Sequence, residues 1–201
     1  MENTNEYKEY LQNYNFIKEL LPKVDEVLGM NQQEEMRLRS CVMMFHSEIE
    51  VYIEKICLRI LDYASEELKK NIVLPCVAML CINSEDKKIK RQGIYKAIET
   101  VIKNHKNFIA EKNHGIRKEH FENIFKPLGL QKYYDDIFLT TEFFEDLNYL
   151  SGCRGVAVHS TMKKFSEKHI LPSDLLIKLE NINNIILKID EYTITEILTT
   201  S

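Results

Sequence analysis

The feature that most limits what this chain can fold into is an apolar stripe between residues 36 and 61. Cys41, Phe45, Ile49, Tyr52, Ile53, Ile56, Cys57 and Ile60 recur every three or four positions, while Glu48, Glu50, Glu54 and Lys55 fall on other faces. A strand alternates its faces every second residue, so this period is that of a helix buried along one side. The spacing predicts a long helix over Met36 to Leu61, entered from the turn-like Gly29-Met30-Asn31, with its stripe in the core and no cofactor box.

The rest of the chain repeats that signal with interruptions. Tyr7, Tyr10, Leu11, Tyr14, Ile17, Leu20 and Leu21 predict a first helix. The apolar stretch Ile72 to Ile82 is broken by Pro75 and reads either as a short buried helix or as an extended piece. Asn83-Ser84-Glu85-Asp86 offers capping residues for a helix near Ile89 to Asn104, and Asn113-His114-Gly115 breaks the chain before another near Arg117 to Phe125, closed by Pro127-Leu128-Gly129. Pro172-Ser173-Asp174 reads as a turn and cap before a final helix carrying Leu175, Leu176, Leu179, Ile182, Ile185, Ile186 and Ile189, with apolar positions on to Leu198. There is no βαβ alternation and no repeat, so the expected fold is an all-α bundle. With 201 residues and 44% hydrophobic content, a single domain over residues 1–201 is expected.

Composition removes several classes of function. No apolar run approaches the roughly 20 residues that span a bilayer, and the polar start Met1-Glu2-Asn3-Thr4-Asn5-Glu6 lacks the features of a signal peptide, so a cytoplasmic protein without membrane contact is expected. Cys41, Cys57, Cys76, Cys81 and Cys153 are odd in number and sit mostly in apolar stretches, as reduced core thiols do. Cys76 and Cys81 have no second tight pair, and His105, His114 and His120 are scattered, so neither a metal nor any other cofactor is assigned. A net charge of −4 argues against coating nucleic acid by bulk electrostatics. The middle is nevertheless basic: Lys87, Lys88, Lys90, Arg91, Lys96, Lys103, Lys106, Lys112, Arg117 and Lys118 face only Asp86, Glu99, Glu111 and Glu119 between residues 86 and 120. Lys163, Lys164, Lys168 and His169 form a second basic group, and either can be a phosphate-attracting rim or a solvated face.

Chemistry concentrates in Leu150-Ser151-Gly152-Cys153-Arg154-Gly155-Val156-Ala157-Val158-His159-Ser160. Arginine grips a phosphate through two oxygens, and histidine exchanges a proton near neutrality, so Arg154 and His159 together suffice for metal-free phosphodiester cleavage. Thr140 and Thr141 are candidate caps, and Phe143, Phe144, Leu147, Leu150 and Ala157 set a helical stripe that places both residues toward that helix's end. Gly152 and Gly155 each cost about 1 kcal/mol relative to alanine inside a helix, which marks their face as a contact surface. Five residues turn a helix by about 140°, so one chain makes a poor site, whereas a two-fold dimer can place two arginines and two histidines around one cleft. The alternative assigns Arg154 to a surface ion pair and His159 to a polar helix end.

Four segments in order resemble the HEPN superfamily, in particular its RiboL-PSP-HEPN-like branch. These are Phe45-His46-Ser47-Glu48-Ile49-Glu50-Val51-Tyr52-Ile53, the turn Ile124-Phe125-Lys126-Pro127-Leu128-Gly129-Leu130, the signature Leu147-x2-Leu150-x3-Arg154-x4-His159, and the long helix after it. The resemblance implies a HEPN-like helical bundle with additional helices between the early long helix and the motif helix. It also implies a homodimer with paired motifs at its interface, through Gly152 and Gly155. The implied activity is metal-independent endonuclease cleavage of RNA, with Arg154 and His159 catalytic and Lys163, Lys164, Glu50 and Ser160 against the substrate. Such proteins serve as toxins or antiphage defence effectors, so an antitoxin or defence-system partner is an expectation. A non-catalytic nucleotide- or RNA-binding or interaction module is the alternative. Gly155, where the family is commonly polar, and Ser160, where it is often glycine, depart from the pattern.

Overall fold

The computed structural model describes residues 2–23, 30–84, 93–130, 141–159, 161, 165 and 170–198. Within them the chain forms seven α-helices and no strand: α1 Asn5–Leu20, α2 Gln32–Lys69, α3 Pro75–Asn83, α4 Ile94–Lys112, α5 Lys118–Phe125, α6 Thr141–His159 and α7 Pro172–Tyr192. A 3-10 turn, Lys126–Leu128, follows α5, and a π-helical turn, Thr193–Leu198, ends α7. No helix among the described residues is long and apolar enough to cross a membrane.

The bundle is organised on α2, which packs against α1, α4, α5, α6 and the π-helical turn. All eight stripe residues from Cys41 to Ile60 are buried. The helix is longer than its stripe predicts because both ends are capped. At its start, Asn31 accepts from the backbone N–H groups of Gln33 and Glu34, while the Glu34 side chain accepts from the Asn31 N–H. At its end, Leu68 prolongs the buried stripe, and Asn71 turns the chain in a left-handed conformation at φ 65°.

Against α2, the first helix lays a row of tyrosines. Tyr10 lies tilted 5.3 Å from Tyr52, Tyr14 lies 5.5 Å from Phe45, and Tyr7 meets the Tyr52 ring edge-on at 6.3 Å. These rings are buried, so they form core and do not offer a base-stacking platform. Thr4 caps α1 by accepting from the Tyr7 N–H, and its own N–H and hydroxyl both donate to the buried Asp190 near the end of α7. One residue thereby fixes the start of α1 and the end of α7 together.

Three expectations about boundaries are corrected. Asn83 is the last residue of α3 and Ser84 follows it, so they do not cap the fourth helix, whose described start is Ile94 behind Gly93. That helix also passes Asn104 and runs to Lys112, because Val101, Ile102, His105 and Ile109 continue its buried side and one asparagine costs too little to end it. Pro172 opens α7 at its first position, so Ser173 and Asp174 belong to the first turn and not to a cap before it. The ambiguous apolar stretch is a helix, α3, which Pro75 begins. The readings made of Gly29, Glu85, Asp86, Lys87, Lys88, Lys90, Arg91, Thr140, Ser160, Lys163, Lys164, Lys168 and His169 lie outside the described residues.

Candidate functional site

The motif helix α6 is held on two sides. Near its start the buried Asp146 accepts from Lys178 Nζ at 2.7 Å and Asn181 Nδ2 at 3.2 Å, both on α7. Near its end the Arg39 guanidinium on α2 donates to the Ala157 carbonyl, satisfying one of the acceptors that a helix terminus leaves without a partner. Phe143, Phe144, Leu147, Leu150 and Ala157 are all buried, as their spacing predicts. Arg39 meets the end of α6 while His46, two turns along α2, faces the Arg154 charge, so the two helices run antiparallel.

Arg154 is exposed and, among the described residues, makes neither a hydrogen bond nor an ion pair with a carboxylate. The surface ion pair that would have given it a bland explanation is therefore not formed among these residues. Its charge instead acts on His46, which is 4% exposed. Burial, then Arg154, His120 and Arg117, push the His46 imidazole down to about 4, so it is neutral at pH 7. Arg117, at the start of α5, donates through Nε to Ser151 Oγ at 3.1 Å, one turn before Arg154 on α6. Three elements thus gather two arginines and two imidazoles on one side of the bundle.

Glu50 completes this group from below. Its Oε2 lies 3.6 Å from His46 Nδ1, and the side chain is 20% exposed, so it is not a solvated charge. Glu48, by contrast, turns toward α1 and accepts from Asn13 Nδ2 at 2.9 Å. His114 Nδ1 stands 3.8 Å from Glu54 Oε1, and Glu54 is held above the usual carboxylate range by burial and by the Glu50 charge. The loop that presents His114 and Arg117 depends on Gly115, whose φ of 132° few other residues adopt. A Cβ there would stand 2.8 Å from the His120 ring.

His159 is not brought to this group. It is the last residue of α6, exposed, and rotated by about 140° from Arg154. Gly152 and Gly155 lie near His159 on that opposite face, about 160° and 100° from Arg154. A methyl group added at either glycine would meet no described atom within 4 Å, so nothing among the described residues requires them. Beside them opens a recess of about 250 Å³ lined by Asn148, Tyr149, Gly152, Cys153, Val156 and Ile170. Compared with known protein families, with characterised proteins and with solved structures, the chain matches none of them.

The motif pair named from the sequence captures only part of the cluster. His46, His114, Arg117 and His120 escaped it, and one signal was present: His46, Glu50 and Glu54 recur every four residues beside the apolar stripe. Nothing local reveals that the loop at 113–117 closes over them, since that depends on how α4 and α5 pack on α2.

Proposed function

We propose that this chain is a metal-independent RNA endonuclease of the HEPN type, acting as a two-fold dimer. The observation that carries the reading is Arg154: an exposed guanidinium without a carboxylate partner among the described residues, beside Arg117 and the neutral His46, suits an anionic ligand. Arg154, without an acidic partner among the described residues, keeps its full fork for phosphate oxygens, and Arg117, whose Nε is taken up by Ser151, adds its positive charge. In this reading Arg154 stabilises the charge that develops on the phosphorus oxygens, and His159 exchanges protons with the attacking 2′-hydroxyl of the RNA or with the leaving 5′-oxygen. In this reading a second copy docks beside the Gly152 and Gly155 face, on which His159 also lies, and brings its own Arg154 to that histidine, since the Arg154 of the same chain faces the other way. Lys163, Lys164 and Ser160 follow directly in sequence and extend the RNA-facing rim. A role as a toxin or antiphage effector restrained by a partner protein follows from the same resemblance.

The test is incubation of the purified protein with a mixed RNA pool in chelator. This reading expects cleavage that leaves 2′,3′-cyclic phosphate ends, no cleavage of DNA, and loss of activity in His159→Ala. A second reading rests on one observation: within a single chain His159 faces away from Arg154. If the protein is a monomer that binds RNA and cuts nothing, the arginine and histidine cluster is an RNA- or nucleotide-binding surface only.

A further inference from the structure

The polar stripe of α2 holds an arrangement that RNA cleavage does not use. Glu50 and Glu54 are one helical turn apart, and His114 reaches them from the loop between α4 and α5. Glu50, Glu54 and His114 each offer a ligand atom, and the three atoms lie within 4.8 Å of one another. Two carboxylates this close repel each other unless a cation lies between or beside them or one takes up a proton. Among the described residues no lysine or arginine forms an ion pair with either one.

A second observation points the same way. The His46 side chain is only 6% exposed, yet its Nδ1 stops 3.6 Å from Glu50 Oε2, and among the described residues it makes no hydrogen bond. Glu54 Oε1 is likewise buried with no hydrogen-bond partner, 3.8 Å from His114 Nδ1. Buried polar groups are ordinarily satisfied, so an orphaned Glu54 oxygen, together with an unpartnered imidazole behind the neighbouring Glu50, needs an explanation. A bound cation supplies it, because it draws Glu50 and Glu54 onto itself and leaves a neutral imidazole behind Glu50 to donate to that carboxylate from outside.

We infer that Glu50, Glu54 and His114 bind one divalent cation of the Zn²⁺ type, with His46 orienting Glu50 and water completing the coordination. Two oxygens and an imidazole nitrogen suit Zn²⁺ better than Mg²⁺, which takes oxygen ligands and dehydrates reluctantly. The ion would also cancel the negative charge beside Arg117 and Arg154, and so favour the approach of a polyanion. This site does not rest on the RNA-cleavage reading, since cleavage is expected in chelator and metal binding is measured without RNA.

The probe is Zn²⁺ alone, titrated by calorimetry into the full-length protein after chelator treatment, with Mg²⁺ as the control. One saturable Zn²⁺ site per chain is expected, not displaced by Mg²⁺. His114→Ala, on an exposed loop residue, and Glu54→Gln should each weaken it at least about tenfold, with helicity by circular dichroism unchanged. Cys81→Ser, which removes the least buried thiol, should leave it intact. The absence of a saturable site, or binding that survives His114→Ala but falls in Cys81→Ser, would overturn the proposal.

Discussion

Acid should destabilise this protein through His46. The imidazole is pushed down to about 4 in the fold, against an ordinary value of 6.5 in the unfolded chain. A group that the fold keeps neutral contributes stability fully above pH 6.5, and that stability is lost as the pH falls from there toward 4. At pH 5 the unfolded histidine is almost wholly protonated and the folded one is not, which corresponds to about 2 kcal/mol relative to pH 7. Water reaching the half-open Glu50 side reduces this, so about 1–2 kcal/mol is the expected loss. His46→Gln fills similar space without titrating. Urea unfolding of both proteins, followed by circular dichroism at pH 7 and pH 5 in chelator, isolates the term, because His105, which burial also pushes down, is common to both. The wild type should lose 1–2 kcal/mol more than the variant over that interval. A companion measurement follows the His46 ring protons by NMR: Arg154→Gln should raise the imidazole, since one of the charges holding it down is gone. Equal pH dependence in wild type and His46→Gln, together with an unmoved resonance in Arg154→Gln, would refute the placement of Arg154 over His46.

Other outcomes follow from the same geometry. Gly155→Ala adds a methyl group that meets nothing among the described residues, so it should stabilise the isolated fold by up to about 1 kcal/mol, read by urea unfolding. Gly155→Leu should split the dimer in light scattering if that face is the interface, and an unchanged dimer would place the interface elsewhere. Asp146→Ala leaves Lys178 and Asn181 without their shared acceptor and loosens α6 from α7. A loss of about 2–3 kcal/mol is expected, and a change below about 0.5 kcal/mol would show that the buried carboxylate does not anchor the helix. Gly115→Ala combines a strained backbone with a clash against His120. It should destabilise the loop by more than about 1 kcal/mol and shift the His120 resonances, whereas a silent substitution would contradict the loop geometry.

The helices were legible in the sequence wherever one residue in three or four is apolar over several turns. The stripes of α1, α2 and α6 could be read directly, down to the buried Ala157 between the half-buried Val156 and the exposed Val158. Boundaries were less legible. Asn83 and Ser84 have the chemistry of an N-cap, but a helix already ends there, and cap preference alone does not say which side of a residue the helix occupies. The site was legible only along single helices. Arg154 and Glu50 were named because each belongs to a pattern, whereas Arg117 and His114 reach them through a glycine-dependent loop whose position is a tertiary fact. His46 fell between the two: it stands in the Phe45 to Ile53 segment, but no role could be read for it from the residues alone.

The central claim is that Arg154 and His159 cleave RNA without a metal. The most direct measurement compares wild type, Arg154→Lys and His159→Ala on one labelled RNA in chelator, with the product ends identified by mass spectrometry. The account predicts cleavage by the wild type to 2′,3′-cyclic phosphate ends, a loss of roughly a hundredfold or more in His159→Ala, and a marked loss in Arg154→Lys, whose point charge cannot reproduce the two-pronged grip. Undiminished cleavage by His159→Ala, equal cleavage of DNA, or activity only with an added divalent ion would contradict it.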